Sequence, residues 1–283
     1  MVIFKYVVLA CFVVLAGCAG TQKFDGDIAQ ESMLMKTENH AGLIEFYKAK
    51  LKEKEDVSNR EKLAQAYLDY GDPDSALFTI SPLTKRVTDK EAVKKKSDSS
   101  IWKNLVDGEP VWTSWANKKV HLNWLLIQAN SETALGKREA ALSSALQAFQ
   151  LDKKNAEVAN LIGVIYAAGG NIYEARHYFY IARENLYDDL KVKNNLALLF
   201  ILEGKYDRAV DMLLPLYANG QVDQQVESNL IIAMVKKNDL DLMRRVLKPK
   251  YSDREIAQKY QALKPVKPAS WVKVFNGALR ETN

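Results

Sequence analysis

The feature that most constrains the fold is a fixed period of 34 residues in the second half of the chain. Gly136, Gly170 and Gly204 are spaced by that interval, and Asn238 follows one interval later. A second column lies five residues further on in each copy. Its members are Ala141, Ala175, Ala209 and Met243. Self-similarity at such a period predicts an array of stacked units, each of which buries its apolar face against its neighbours.

Three more columns lie eight, seven and four residues before the glycine position. They hold Ile162, Leu196 and Leu230, then Ala129, Gly163, Ala197 and Ile231, and then Tyr166, Phe200 and Met234. An earlier copy fills the same columns with Leu63, Ala64, Tyr67, Gly71 and Ala76. Because many columns stay in register, the array is predicted to contain several structurally equivalent units.

Each unit is predicted to consist of two helices. The small residue of the first helix lets the second helix approach closely. The glycine ends the first helix, because the left-handed backbone conformation costs little energy only for glycine and sometimes for asparagine. The apolar run in "NNLALLFILEGKYDRA" (194–209) is compatible with a strand or a helix by periodicity alone. Its position in the repeat predicts a helix that ends at Gly204.

The period and the residue types resemble those of the tetratricopeptide repeat. The resemblance implies an all-α fold, a right-handed solenoid of helix-turn-helix units. We expect four repeats and one degenerate repeat, since "GLIEFYKAKL" (42–51) has the apolar spacing of a second helix. Pro82, Pro215 and Pro249 each lie eleven residues after a turn residue. We expect the second helix to kink or to end just before each of them.

The domain organisation follows from these boundaries. The segments are a lipoprotein signal peptide (1–17), an N-terminal linker with a degenerate repeat (18–56), a repeat (57–83), a basic tryptophan-containing insertion (84–119), three to four tandem repeats (120–250), and a capping helix with a C-terminal tail (251–283). The capping helix is predicted from "SDREIAQKYQAL", which begins with Ser-Asp and continues with helical apolar spacing.

The first twenty residues, "MVIFKYVVLACFVVLAGCAG", have the composition of a secretory signal. Their apolar stretch, Tyr6 to Ala16, is too short to span a bilayer comfortably. The following "LAGC" resembles the bacterial lipobox, which implies that Cys18 is acylated and becomes the mature N-terminus. Ala19 in the next position implies the outer membrane, with the protein lipid-anchored and facing the periplasm. The alternatives are a plain membrane anchor or an ordinary signal peptide with an incidental cysteine.

The chain contains two cysteines, Cys11 and Cys18. Cys11 would leave with the signal and Cys18 would be alkylated. The mature protein is therefore predicted to have no free thiol, no disulfide and no thiolate metal site.

The segment 84–119 has nine Lys or Arg residues and five Asp or Glu residues. It also contains Trp102, Trp112 and Trp115. One interpretation is a basic, aromatic patch that binds a partner or lies near the membrane. The other is a repeat expanded by a solvated loop whose tryptophans pack on neighbouring helices. Nucleic acid is not an expected partner in the periplasm.

The sequence predicts no enzymatic activity. His40, His121 and His177 are dispersed and have no partner at metal-ligand spacing. The chain also lacks a glycine-rich phosphate loop, a Gly-x-Ser-x-Gly elbow and a His-Glu-x-x-His motif. We therefore predict no catalytic residues, no metal, no cofactor and no small-molecule substrate.

Repeat solenoids recognise partners on a long concave surface, which is lined by the first helix of each unit. The columns predict that this partner-binding groove contains Asn160, Val164, Asn194, Leu198, Ile201, Ser228 and Ile232, together with Ala167 and Val235. Amides can hydrogen-bond a peptide backbone, and an apolar stripe suits an amphipathic helix. The alternative is that the apolar residues simply pack between helices.

Roughly residues 120 to 263 and the lipobox resemble the TadD family of tight-adherence (Tad/Flp) pilus assembly lipoproteins. The resemblance is carried by "NNLALLFILEGKYDRAVDMLLPLYANG", by "SNLIIAMVKKNDLDLMRRVL" and by "REIAQKYQAL". It implies an outer-membrane lipoprotein of a pilus secretion machine, a pilotin-like scaffold that binds a secretin or another pilus component. A rival hypothesis is a general outer-membrane adaptor that recruits periplasmic hydrolases or joins the barrel-insertion machinery.

Overall fold

The computed structural model describes residues 19–96, 115–220 and 224–266, and every regular element within these ranges is a helix. The expected all-α class is therefore confirmed. In chain order the helices are α1 (Ala19–Lys36), α2 (His40–Glu53), α3 (Val57–Asp69), α4 (Pro73–Lys96), α5 (Trp115–Ala134), α6 (Arg138–Leu151), α7 (Ala156–Ala168), α8 (Ile172–Glu184), α9 (Asp189–Leu202), α10 (Tyr206–Ala218), α11 (Gln224–Lys236), α12 (Leu240–Leu247) and α13 (Asp253–Leu263).

The helices form six successive hairpins, α1–α2 to α11–α12, followed by α13. A residue with positive φ ends the first helix of every hairpin. These residues are Glu38 (50°), Gly71 (85°), Gly136 (71°), Gly170 (77°), Gly204 (74°) and Asn238 (62°). The predicted turn column is thus confirmed, including its asparagine, because glycine and asparagine tolerate the left-handed region best.

The same pair of backbone hydrogen bonds closes each of these turns. In the fifth hairpin the Gly204 amide donates to the Ile201 carbonyl at 3.1 Å, and the Lys205 amide donates to the Phe200 carbonyl at 2.8 Å. This is a Schellman-type C-cap, which satisfies two carbonyls that the end of the helix would otherwise leave unpaired. Six equivalent caps therefore give six hairpins of similar geometry.

The hairpins stack in two layers. The first helices α3, α5, α7, α9 and α11 each contact the next first helix along the chain, whereas contacts of this extent do not join successive second helices among the described residues. The first helices therefore form the tighter, inner layer of the solenoid. Buried clusters bridge consecutive hairpins along the array, from Leu43 and Tyr47 at one end to Ile256 and Tyr260 at the other.

Small residues let the two helices of a hairpin approach. Ala64, Ala129 and Ala197 on the first helices are completely buried, as are their partners in the alanine column of the second helices. Gly163 marks the closest approach, since a Cβ atom there would lie 2.5 Å from the Phe179 ring and 3.2 Å from the Ala175 carbonyl. Phe179 therefore requires glycine in a column that is alanine in three other hairpins.

The prolines decide between the two expected outcomes only in part, because a helix end is found before one proline and not before the other two. Pro82 lies inside α4 and Pro215 inside α10, so neither helix ends before its proline, whereas α12 does end two residues before Pro249. A proline in a helix interior costs about 3 kcal/mol. Each interior proline lies between two buried residues, Ile80 and Leu83 in α4 and Leu213 and Leu216 in α10. Burial of a large aliphatic side chain contributes about 1.5–3 kcal/mol, so the packing of two such residues outweighs the lost helical hydrogen bond.

The described parts of the predicted insertion are helical. Helix α4 continues to Lys96, and α5 already begins at Trp115, so helix occupies both ends of the predicted segment 84–119. Trp102 and Trp112 lie outside the described residues. Stacking nevertheless continues across the insertion, because Trp124 on α5 donates its indole N–H to the Glu61 carboxylate on α3 at 2.7 Å.

The N-terminal segment is more regular than a linker. Helix α2 confirms the predicted second helix, and α1 supplies the first helix, which the sequence did not reveal. Glu31 on α1 accepts hydrogen bonds from the Tyr47 hydroxyl at 2.8 Å and from Lys62 at 2.6 Å. The degenerate repeat is therefore a complete hairpin that is fastened to the next one.

The C-terminal helix α13 closes the stack, as predicted. Ser252 forms a capping box with Glu255 at its N-terminus. Glu227 on α11 is buried and accepts hydrogen bonds from Lys250 at 2.5 Å and from the Tyr251 hydroxyl at 2.8 Å, in the segment just before α13. Burial opposes ionisation of Glu227, but these two donors hold the pKa of its carboxyl below the usual value.

The fit between Gly163 and Phe179 gives a first prediction. Gly163→Ala should destabilise the protein by about 1–3 kcal/mol through overpacking, although alanine is the better helix former. The double variant Gly163→Ala with Phe179→Leu should be more stable than the sum of the two single changes implies, because Ala197 and Leu213 combine the same residues in the next hairpin. Urea denaturation of the four proteins measures this coupling, and strictly additive effects would contradict the close contact.

A second prediction concerns acid. Since the folded-state pKa of Glu227 is lowered, its contribution to stability is complete above the unfolded-state pKa and is lost as the pH falls through the folded-state pKa. Glu227→Gln should therefore lower the melting temperature at pH 7 and reduce its decline towards pH 3. The matched control is Glu184→Gln, because Glu184 is exposed at the end of α8. Equal pH dependence in the wild type and Glu227→Gln would refute this role.

Candidate functional site

The predicted partner-binding residues all lie on the inner layer of helices. Asn160 and Val164 are on α7, Asn194, Leu198 and Ile201 are on α9, and Ser228 and Ile232 are on α11. Equivalent positions of successive repeats lie on helices that contact one another. The structure therefore brings the predicted residues together along one layer, but it exposes them to very different extents.

The deepest column belongs to the core. Ile201 has 0% of its surface exposed, and the equivalent Ala167 and Val235 are each 1% exposed. Helix α9 has α7 and α11 on its two sides and α10 behind it. Ile201 is therefore a packing residue, which corrects its assignment to the groove. Ala167 and Val235 are corrected in the same way.

The remaining apolar positions form a shallow stripe. Val164 and Leu198 are buried except for about a twentieth of their surface, whereas Ile232 is half-buried and Ser228 is exposed. One helical turn further on, Ala168 and Leu202 are also half-buried. Sequence analysis missed these last two, although their spacing of four residues from Val164 and Leu198 places them on the same face. The "inner stripe" below means Val164, Ala168, Leu198, Leu202 and Ile232.

The predicted amides have partners within the protein. Asn195 donates its side-chain N–H to the Asn160 side-chain oxygen at 2.8 Å, and Asn229 donates in the same way to Asn194 at 2.9 Å. Each bond joins one first helix to the next, from α9 to α7 and from α11 to α9. The sequence did not predict these pairs, although the doubled asparagine at 194–195 and the interval of 35 residues between bonded partners are visible in it.

The two ends of the inner layer differ in charge. On α3, Asp69 accepts a hydrogen bond from Gln65 at 2.6 Å. Burial raises the pKa of the Asp69 carboxyl, which the bond from Gln65 partly offsets. At the opposite end, the ammonium group of Lys236 donates to the backbone carbonyls of Lys264 and Val266 after α13. The α3 end of the layer therefore carries an acidic group, whereas the cation at the other end is already hydrogen-bonded.

Two cavities separate the third and fourth hairpins near their turns. Two adjoining cavities of about 270 and 230 Å³ lie between the third and fourth hairpins, beside Arg138, Glu139 and Ile165. Ligand pockets usually measure about 300–1,000 Å³. Both cavities lie at the turn end of the hairpins, and the smaller one is lined in part by Ala168 of the inner stripe. A small-molecule site has no support from these cavities.

The histidines remain separate from one another in the structure. His40 begins α2, His177 is exposed on α8, and the His121 ring lies 5.1 Å from the Trp124 ring on α5. Among residues 19–96, 115–220 and 224–266, no group of His, Cys, Asp or Glu side chains could hold a metal ion. The absence of an enzymatic site stays a prediction.

Cys18, the predicted lipidation site, lies outside the described residues. Within the described part of the chain, no helix has both the length and the apolar composition that a membrane span requires.

Comparison with known proteins supports the fold. No protein-family model matches the chain, and no curated protein sequence matches it. Among solved structures, the chain is similar to a tetratricopeptide repeat protein from Parabacteroides merdae, with a TM-score of 0.56 and 13% identity. The similarity covers 92% of this chain and 93% of that protein. The predicted tetratricopeptide-repeat architecture is thus confirmed, and at this level of identity the similarity shows the fold alone.

The difference in burial between two groove positions gives a third prediction. Ile201→Asp should destabilise the protein by at least about 3 kcal/mol, because it places an unpaired carboxylate in the core. Ile232→Asp should leave the protein folded, since Ile232 reaches solvent. Thermal melting followed by circular dichroism distinguishes the two, and similar melting temperatures for both variants would contradict the assignment of Ile201 to the core.

Proposed function

We propose that this protein is a non-enzymatic, lipid-anchored scaffold of the outer membrane that faces the periplasm and assists assembly of a tight-adherence (Flp-type) pilus. Its role is pilotin-like, and it binds a segment of the secretin or of another pilus component on its inner layer. The observation that carries the proposal is the continuous inner layer of first helices, which presents the inner stripe across α7, α9 and α11.

The repeat fold supports a binding role. An array of stacked hairpins offers an extended surface that is suited to a polypeptide rather than to a small molecule. The two cavities between the hairpins are smaller than typical ligand pockets. A protein partner is therefore the ligand class that this geometry fits best.

The chemistry of the inner layer narrows the kind of segment that would bind. Its centre is apolar, its asparagines already bond to one another, and its acidic end carries Asp69. An amphipathic helix with an apolar face and a cation near one end matches this distribution. We infer that apolar contact supplies most of the affinity and that charge sets the direction of the bound segment.

Sequence supports the pilus context. The helices from α5 to α13 carry the segments that resemble the TadD family, and the lipobox-like "LAGC" precedes α1. Acylation of Cys18 would tether the protein to a membrane that its described helices do not cross. The location in the outer membrane follows from Ala19 after the cysteine and is part of the proposal.

A general outer-membrane adaptor is the second candidate, because the same lipobox and the same inner layer would serve a scaffold for periplasmic hydrolases or for the barrel-insertion machinery. Gene neighbourhood separates the two. A pilus factor should be encoded among pilin, ATPase and secretin genes.

The fourth prediction tests the pilus role and the inner stripe together. Deleting the gene should abolish secretin multimers and surface pili. Complementation with Ile232→Asp should not restore them, because a carboxylate in the inner stripe opposes an apolar partner. Immunoblots of unheated membranes and electron microscopy of the cells measure the two outcomes, and affinity capture with mass spectrometry identifies the bound component.

Tyr173→Asp is the matched control, because Tyr173 is 82% exposed on α8, outside the inner layer. It should restore both secretin multimers and pili. Normal pili in the deletion strain would exclude a role in pilus assembly. Normal pili with Ile232→Asp would instead show that a different surface binds the partner.

A further inference from the structure

The outward face of α1 is unusual among the helices for its exposed apolar side chains. Ile28, Met33 and Met35 expose 51%, 66% and 50% of their surfaces, and Val57 at the start of α3 exposes 41%. A terminal hairpin of a solenoid normally turns a polar face to solvent. The first hairpin therefore leaves apolar surface uncovered at the end of the stack.

Charge is distributed unevenly around the same helix. Both carboxylates within residues 26–36 point inward, where Asp27 pairs with Lys50 and Glu31 pairs with Lys62. The exposed positions in this range are Gly26, Ile28, Ala29, Gln30, Met33, Met35 and Lys36. Within residues 26–36 the outward face thus carries no negative charge, and the single charged group on it is Lys36 at the end of the helix. A face of this kind suits a membrane interface, where lysine can reach the headgroups while apolar side chains enter the acyl boundary.

The position of α1 in the chain indicates that a membrane is what covers this apolar face. The helix begins at Ala19, directly after Cys18, so an acyl chain on Cys18 would hold it at the bilayer without a spacer. Met33 lies roughly 21 Å along the helix axis from Ala19 at 1.5 Å per residue. A helix standing upright would lift Met33 clear of the lipid, whereas a helix lying in the interface would bury it.

We propose that α1 lies in the plane of the membrane interface, with Ile28, Met33 and Met35 buried among lipid headgroups and acyl chains. This inference rests on the proposed lipid anchor and adds a second, independent contact with the bilayer. The contact would also fix the direction in which the solenoid leaves the membrane, because Tyr47 and Lys62 join α1 to the next two helices.

The test uses the full-length, lipidated protein in vesicles of phosphatidylethanolamine and phosphatidylglycerol. With Cys11 removed and Cys18 acylated, Met33→Cys provides the single thiol, which is labelled with nitrobenzoxadiazole. We expect blue-shifted emission and several-fold stronger quenching by a lipid-borne quencher than by a water-soluble one. Tyr173→Cys is the matched control on α8 and should show the reverse.

A second variant addresses the cause of the contact. Ile28→Glu in the Met33→Cys protein should reduce the membrane-buried fraction of the label by about tenfold, since it replaces half-exposed apolar surface with a charge. Thermal melting should remain unchanged because Ile28 is not a core residue.

The outcomes separate this inference from the anchor on which it rests. A mature N-terminal peptide without acyl chains in mass spectrometry would refute the anchor. An acylated protein whose label at position 33 is as water-accessible as the label at position 173 would overturn the interfacial helix alone. Lipid burial of position 33 that Ile28→Glu does not alter would also overturn it, because the outward face of α1 would then not be the contact.

Discussion

The left-handed residue at the end of each first helix is the constraint on which the solenoid depends. It lies in a turn of three residues between two helices, and the two backbone hydrogen bonds of this turn satisfy carbonyls that would otherwise be unpaired. Because this geometry recurs at six positions, the two helices of every hairpin are connected in the same way. The left-handed conformation of one residue thus sets the geometry of each turn, and the side chains of the two helices pack within that geometry.

Side-chain packing within the hairpins shows this adjustment. Phe179 fills the space between α7 and α8, and glycine at position 163 makes room for it. In the next hairpin the equivalent pair is Ala197 and Leu213. Alanine is larger than the glycine that it replaces, and leucine is smaller than the phenylalanine. The two residues of each pair thus divide the volume at the contact in different proportions. Both hairpins remain closely packed, because Phe179, Ala197 and Leu213 are all completely buried. The two hairpins therefore fill the same contact with different pairs of residues.

The sequence predicted the helical class, the turn column and the capping helix because each depends on local chemistry repeated at a fixed interval. Asn238 in a glycine column was predicted correctly, since the left-handed region tolerates asparagine. The sequence left open whether α10 would kink or end at Pro215, because the flanking burial of Leu213 and Leu216, which favours continuation, is a tertiary effect. The buried state of Ile201 was missed for a related reason. Counting columns gives the direction of a side chain, but not how far two neighbouring helices cover it.

The asparagine pairs change what the inner layer can do. A free amide on this surface would bind a partner's backbone, whereas the oxygens of Asn160 and Asn194 already accept bonds from Asn195 and Asn229. These bonds satisfy polar groups at the junctions between repeats, where an unpaired buried amide would cost about 1–3 kcal/mol. The polar residues of the layer thus join the repeats to one another, and the apolar residues beside them remain for a partner. Recognition on this surface would then depend on shape and apolar complementarity. The acidic end at Asp69 is the one feature that would distinguish the two directions of a bound segment.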